Sequence, residues 1–286
     1  MLFVLGACGR MHFDPVDDAN PGVVRPPRCS PTAPFGTPSL IPGTQLHTNE
    51  FEFQPRLSPD ERTMYFVRGD DVTQIDVFVA TRADADAEFE PPVRAADLSS
   101  DDEFEAYPAI TADGRTMYLS IDDDVFVATR PAATGDFARP TRVASVSSGQ
   151  TDSGTYVVPD GSALYFSRGS SIFRAAHTAT GLATPERVPG LDGLDALAPV
   201  VSADQLTIYF LRNNPDPTLP DRDEDIWMAT RSSPTAAFAN AVRVDELSTV
   251  GTFEEPGWIS DDSCAFYFSS NRGGRPHDLY VARRTP

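Results

Sequence analysis

The sequence predicts an all-β fold: a five-bladed β-propeller of four-stranded antiparallel blades, closed by its own N-terminal strand. Three observations carry that prediction. One block of residues recurs five times, every block has the chemistry of β-strands and tight turns, and the last repeat lacks a strand that is found at the opposite end of the chain.

The first block begins Phe51-Glu52-Phe53-Gln54-Pro55 and runs through Ser58-Pro59-Asp60 to Met64-Tyr65-Phe66. It returns at Phe104 to Leu119, at Asp152 to Phe166, at Pro199 to Phe210 and at Phe253 to Phe268. In each copy a turn aspartate (Asp60, Asp113, Asp160, Asp204, Asp262) precedes a tyrosine by five residues. A second block follows every time: Asp76 to Arg82, Asp124 to Arg130, Ser171 to His177, Asp225 to Arg231 and Asp278 to Arg284. A third closes four repeats, Phe89 to Leu98, Phe137 to Val146, Pro185 to Leu191 and Phe238 to Leu247. The runs are short, rich in β-branched and aromatic residues, and bounded by Gly, Pro, Asp or Ser, which is strand composition between turns. At Thr111-Ala112-Asp113-Gly114 the aspartate bonds its own backbone and the glycine accepts positive φ. No repeat holds an apolar 3.6-residue period, so a helical repeat is excluded. Four strands in a unit of about 45–55 residues make a propeller blade.

The fifth repeat stops after its third strand, at Arg283-Arg284-Thr285-Pro286. Its missing fourth strand is supplied by Phe35 to Pro42, which matches Phe238 to Val244. Joining the two ends leaves no incomplete sheet edge. Five blades then count without remainder, with six as the alternative count. Residues 35–286 are the propeller domain, 9–34 a flexible Pro-rich tether that cannot bury a core, and 1–8 a signal-like segment.

Leu5-Gly6-Ala7-Cys8 resembles a bacterial lipobox, which makes Cys8 the expected lipidation site, although no basic residue precedes the apolar run. The expectation is an envelope protein held to a membrane only through lipid. Cys29 lies just before the closing segment and Cys264 in the last blade, so a disulfide between them fits an oxidising compartment; two free thiols fit a reducing one. The net charge of -19 argues against nucleic-acid partners, which need a positive footprint.

The chain carries no G-x-S-x-G motif, no phosphate-binding loop and no clustered histidines; His12, His47, His177 and His277 are scattered. No cofactor is expected. What recurs is acid. Glu52, Glu105, Asp152 and Glu254 occupy one repeat position at the start of the innermost strand, with Asp195 one residue off register. They are expected to ring one mouth of the central channel. Arg68, Arg168, Arg212 and Arg272 follow the second strand in four of five blades, and loops on the same face carry Asp70, Asp71, Asp122, Asp123, Asp216, Asp221, Asp223 and Glu224. Two readings follow: a face that binds a cationic segment, an ion or a polar glycan, or a device in which acids cap neighbouring strands and pair with those arginines. A residue kept in every repeat usually serves the repeat, which favours the second. Asp221-x-Asp223-x-Asp225 alternates like a calcium loop but lacks its Gly and distal Glu, so it is a weak metal candidate.

Ser58-Pro59-Asp60, Tyr267-Phe268-Ser269-Ser270-Asn271-Arg272 and Asp278-Leu279-Tyr280-Val281-Ala282 resemble the Pro-Asp-repeat propellers typified by TolB, over residues 35–286. That resemblance implies the propeller fold and, more loosely, a monomeric, non-enzymatic binding scaffold for an envelope protein or peptide. The alternative is a polysaccharide hydrolase or lyase acting at the channel mouth.

Overall fold

The computed structural model describes residues 28–71, 74–213, 224–274 and 276–285. It is a five-bladed β-propeller in which each blade is a four-stranded antiparallel sheet. Blade one consists of Phe51–Leu57, Thr63–Asp71, Gln74–Thr81 and Val93–Arg94, from the axis outward. Blade two is Glu105–Ile110, Thr116–Ile121, Asp124–Thr129 and Thr141–Arg142; blade three is Asp152–Val157, Ala163–Arg168, Ser171–Thr178 and Glu186–Arg187. In blade three a two-residue strand, Gly181–Leu182, also folds back on the third strand. Blade four is Leu197–Val201, Thr207–Asn213, Glu224–Thr230 and Ala239–Arg243. The innermost strands contact one another all the way round, blade five touching blade one.

Blade five takes three strands from the C-terminus, Glu254–Ile259, Ala265–Ser270 and Asp278–Arg283, and its outer strand, Ser39–Leu40, from the N-terminus. Ser39 sits opposite Val281 and Leu40 opposite Tyr280, and Phe35 bridges Arg284. The attachment starts earlier than the sequence suggested. Residues 28–34, expected to belong to the tether, dock on the same blade: Ser30 N–H donates to the Thr285 carbonyl (3.3 Å), and Cys29 forms a disulfide with Cys264. Arg28 spans the seam, bonding Asp262 of blade five (2.7 Å) and Glu61 of blade one (2.5 Å). The signal-like segment with Cys8 lies outside the described residues.

The turn joining first and second strands repeats in detail. Ser58, Thr111, Ser202 and Ser260 each donate a side-chain hydrogen bond to the aspartate two residues on. The residue after that aspartate has positive φ in all five blades, and only blades two and three put glycine there; Glu61, Gln205 and Ser263 adopt it at φ of 58–59°.

The seams between blades are clasped by another recurrent pair, in which the second-strand tyrosine of one blade meets a basic residue ending the third strand of the next. Arg82 donates to Tyr267 (3.1 Å), Arg231 to Tyr165 (3.1 Å) and Arg284 to Tyr209 (2.9 Å), while Tyr118 pairs with His177 (2.8 Å). Arg130 hydrogen-bonds Tyr65 at the remaining seam. The four arginines also lie over the phenylalanine opening their own outer segment, Phe89, Phe137, Phe238 and Phe35, with the guanidinium carbon 3.8–4.4 Å from the ring centroid. Two motif residues separated by a repeat in sequence thus hold the ring together laterally.

Every innermost strand is bulged. The register slips after Phe53, Ala106, Ser153, Leu197 and Pro256. In four blades a positive-φ residue makes the bulge: Gln54, Tyr107, Gly154 and Ala198. A bulge bends its strand and re-aims the side chain it carries, and here five bulges converge on the axis.

Candidate functional site

The recurrent carboxylates end up inside the protein. Glu52, Asp152 and Glu254 are fully buried and Glu105 is 1% exposed. Each accepts a hydrogen bond from a backbone N–H of the loop just before its own strand, from Thr48, Ser100, Ser148 and Thr249. In three blades the arginine after the second strand completes the pair: Arg68 Nε to Glu52 (3.1 Å), Arg168 Nε to Asp152 (2.6 Å), and Arg272 to Glu254 (3.2 Å). The same guanidinium groups donate onward to the carbonyls of Leu46, Val146 and Leu247, which end the preceding blade's outer segment. They also lie over two rings of their own blade, Phe66 and Phe78, Phe166 and Phe173, or Phe268 and Tyr280. Burial raises the pKa of Glu52 and Glu254; Thr48 and Arg68, or Thr252 and Arg272, pull the other way.

Blades two and four break the pattern in complementary ways. Blade four keeps Arg212, stacked 4.5 Å from the Trp227 ring centroid, but the carboxylate position is the buried Ala196. Asp195, expected at the ring, is exposed in a left-handed conformation (φ 50°) and does not join it. Blade two keeps Glu105 but has Ile121 where the arginine would stand. Burial pushes the Glu105 carboxyl up to about 7, with Asp76 and Glu103 adding to the shift and Ser100 opposing it.

Of the loop acids on this face, Asp70, Asp122 and Asp123 are exposed. Asp122 accepts from the Phe104 N–H (3.2 Å). Asp216, Asp221 and Asp223 lie outside the described residues. Asp225, the third member of the metal candidate, is fully buried and ion-paired with Arg243 at 2.8 Å, which gives it a structural partner within its own blade. Among the described residues no group of three His, Cys, Asp or Glu side chains could hold a metal ion.

Two features of the face come from residues that motif reading did not single out. Phe51, Phe104 and Phe253, each one residue before a ring carboxylate, are half-buried at the mouth. Phe53 and His277 join Phe51 and Phe253 in an aromatic cluster across the seam of blades one and five, with His277 4.3 Å from Phe53 and 4.9 Å from Phe253 between centroids. Burial pulls the His277 pKa down to about 4, so the imidazole is neutral, and its Nδ1 has no hydrogen-bond partner.

Deeper on the axis, the bulges deliver a polar cluster. Tyr107 O–H donates to Glu255 (2.6 Å), and Gln54 accepts from the Tyr107 N–H (2.7 Å). Arg56 is 2% exposed, donates to the Thr155 carbonyl (3.2 Å) and lies 5.3 Å from the Tyr156 ring centroid. Burial lowers its pKa to about 10, leaving it charged at neutral pH. Glu255 is raised by burial to about 7, against the opposing pull of Tyr107, Arg56 and Gln54. The one available signal for this cluster was Gln54-Pro55 and Tyr107-Pro108 inside strands, since proline within a strand marks a bulge or an edge.

Two cavities, of about 480 and 470 Å³, flank residues 94–100 between blades one and two. The first is lined by Glu105, Ile121, Phe126, Ser100 and Arg139, among others.

Neither a protein-family model nor a curated protein sequence matches the chain. Solved structures match its fold. The α-L-arabinofuranosidase PaAbf62A from Podospora anserina, in complex with cellotriose, is similar with a TM-score of 0.57 at 12% identity, covering 90% of this chain and 98% of that one. A putative exo-β-1,3-galactanase from Bifidobacterium bifidum s17 gives a TM-score of 0.54 at 15% identity, over 87% of this chain and 92% of that one. TolB from Acinetobacter baumannii gives 0.51 at 14% identity, over 85% of this chain; the chain spans 57% of that protein's length. At such identities the likeness concerns fold alone, and propellers of both kinds share it.

Proposed function

We propose that this chain is a non-enzymatic binding propeller of the bacterial cell envelope, lipid-anchored at Cys8, that engages a protein or peptide partner as a monomer through its acidic loop face. The observation that carries this reading is the half-buried aromatic cluster of Phe51, Phe53, Phe253 and His277 beside exposed loop acids. Aromatic anchors within a charged surround are the composition of a recognition patch, and a net charge of -19 selects for basic partners. Glu105 and Glu254 are buried, each accepting a backbone N–H from the loop before its own strand. The likeness to TolB is consistent with this reading at the level of fold.

One observation favours the second reading, a polysaccharide hydrolase. Glu255 is a carboxyl near neutral pKa, held by a tyrosine hydroxyl as a general acid would be, although it is as buried as Glu105 and Glu254. A single pair of variants separates the two. Affinity capture from envelope extract should yield a partner with the wild type and with Glu255→Gln, and lose it with Phe51→Ser/Phe253→Ser. Turnover of arabinan- or galactan-type glycans, abolished by Glu255→Gln, would overturn the scaffold reading. Cys8→Ala in the full-length precursor should move the protein from the membrane fraction to the soluble fraction; retention in the membrane would remove the lipid anchor from the proposal.

A further inference from the structure

We infer that the seam between blades one and two holds a binding site for a guanidinium group supplied from outside the chain, built around Glu105. In blades one, three and five a guanidinium is received by three things at once: the ring carboxylate, the carbonyl closing the preceding blade's outer segment, and two aromatic rings or their equivalent. Blade two retains most of that receptor. Glu105 stands where Glu52, Asp152 and Glu254 stand. Leu98 ends the same turn as Val146 and Leu247, each bonding through its N–H to the carbonyl three residues back. Phe126 keeps the ring position of Phe78, Phe173 and Tyr280, although Leu119 replaces the other ring. The arginine is replaced by Ile121, whose side chain ends at Cδ1 and lacks the guanidinium fork. A cavity of about 480 Å³ lies there, with Glu105, Leu98 and Phe126 in its wall.

The state of Glu105 points to a ligand. Its side chain is buried, one oxygen accepts the Ser100 N–H (2.8 Å), and the other, Oε2, has no hydrogen-bond partner. A buried carboxylate held by one backbone donor, with no arginine paired to it as in blades one, three and five, is costly, and a cation with N–H groups offsets that cost. A carboxylate, a carbonyl and an aromatic face together suit a planar delocalised cation better than a metal ion, which needs more oxygen ligands, or a compact ammonium. The chain's own arginines do not fill the role. Arg94, from blade one's outer strand, bonds Asp76, Asp101 and the Ser100 carbonyl, and Arg139 is exposed at the rim. The inference stands on blade two alone and is independent of the reading of the mouth, so either can fail without the other.

The test uses the full chain with N-acetyl-arginine-N-methylamide, methylguanidine and, as the neutral isostere, N-acetyl-citrulline-N-methylamide. Binding is followed at pH 8 by the carboxyl carbon shift of Glu105 and by thermal shift. Saturable binding of both guanidines and none of the citrulline analogue is expected. Preference for the peptide-like probe assigns the site to a partner's arginine side chain, and equal binding assigns it to a small guanidino compound. Glu105→Gln should weaken binding about ten- to a hundred-fold, the range for a lost charge-assisted bond. Ile121→Arg, which restores the intramolecular arrangement of the other blades, should raise Tm and abolish binding. Binding should also weaken as pH falls from 8 to 5.5 and Glu105, with Asp76, Glu103, Arg94 and Arg139 as its charged neighbours, takes up a proton. The inference is overturned if wild type binds guanidine no better than the citrulline analogue, or if Glu105→Gln or Ile121→Arg binds as wild type does.

Discussion

Replacing Arg168 by methionine asks whether the recurrent acid–arginine pair holds a blade together. Methionine keeps the length and the apolar stem that rests on Phe166 and Phe173, and removes the charge. Asp152 is then left fully buried with the Ser148 N–H as its remaining donor, having lost a 2.6 Å ion pair, while the Val146 carbonyl loses its donor as well. Breaking a buried pair from one side costs about 3–5 kcal/mol. The Arg168 side chain is 18% exposed and Ser148 stays in place, so the lower end applies, about 3 kcal/mol. For a chain of this size that is a fall in Tm of roughly 6–12 °C. Asp152→Asn/Arg168→Met removes the orphaned charge together with its partner and should cost only about 1 kcal/mol. Glu105→Gln, in the blade that has Ile121 in place of the paired arginine, should be neutral or stabilising. Equilibrium urea unfolding of the four proteins measures all three differences. A single variant costing less than about 1 kcal/mol, or a double variant as unstable as the single, would refute the idea that the ring is a stabilising device.

Other consequences concern the axis and the closure. Glu255 has a folded-state pKa near 7, above its ordinary value of 4.5, so its contribution to stability is complete below pH 4.5 and lost as pH rises through 7. Glu255→Gln should therefore flatten the decline in stability between pH 5 and 7.5, and an unchanged profile would count against a buried titrating carboxyl there. Cys264→Ser opens a crosslink spanning 235 residues, for which the chain-entropy estimate is on the order of 5 kcal/mol, and proteolysis near residues 28–40 should accelerate with it. Gly257→Ala would place a methyl group 2.6 Å from the Pro55 carbonyl oxygen and 2.7 Å from its ring, across the seam of blades five and one. A loss of about 2–3 kcal/mol is expected in thermal or urea unfolding; no loss would mean that the two inner strands separate freely.

The ring was legible in the sequence because a propeller repeats its physics. The turn aspartate, the tyrosine five residues on and the closing basic residue recur in register, and local chemistry determines each turn and strand. The count of five and the strand exchange between residues 35–42 and the last blade follow from the same periodicity, since an unpaired edge has to be covered. What the periodicity did not disclose is which repeated residues meet each other. Tyr118 and His177 are 59 residues apart and belong to different repeats, and only the lateral packing of blades makes them a clasp. The fate of the acids is of the same kind. Glu52, Glu254 and Glu255 have the same formal charge in the sequence, but one strand face buries the first two against arginine, while the third, on the opposite face of its strand, meets Tyr107. Asp195 shows the limit most plainly, since a one-residue offset was enough to leave it in water and put Ala196 in the ring position. Strand direction and turn type are properties of a few neighbouring residues, and sequence fixes them; burial, partner and protonation depend on residues a blade or more away, and only the closed ring decides them.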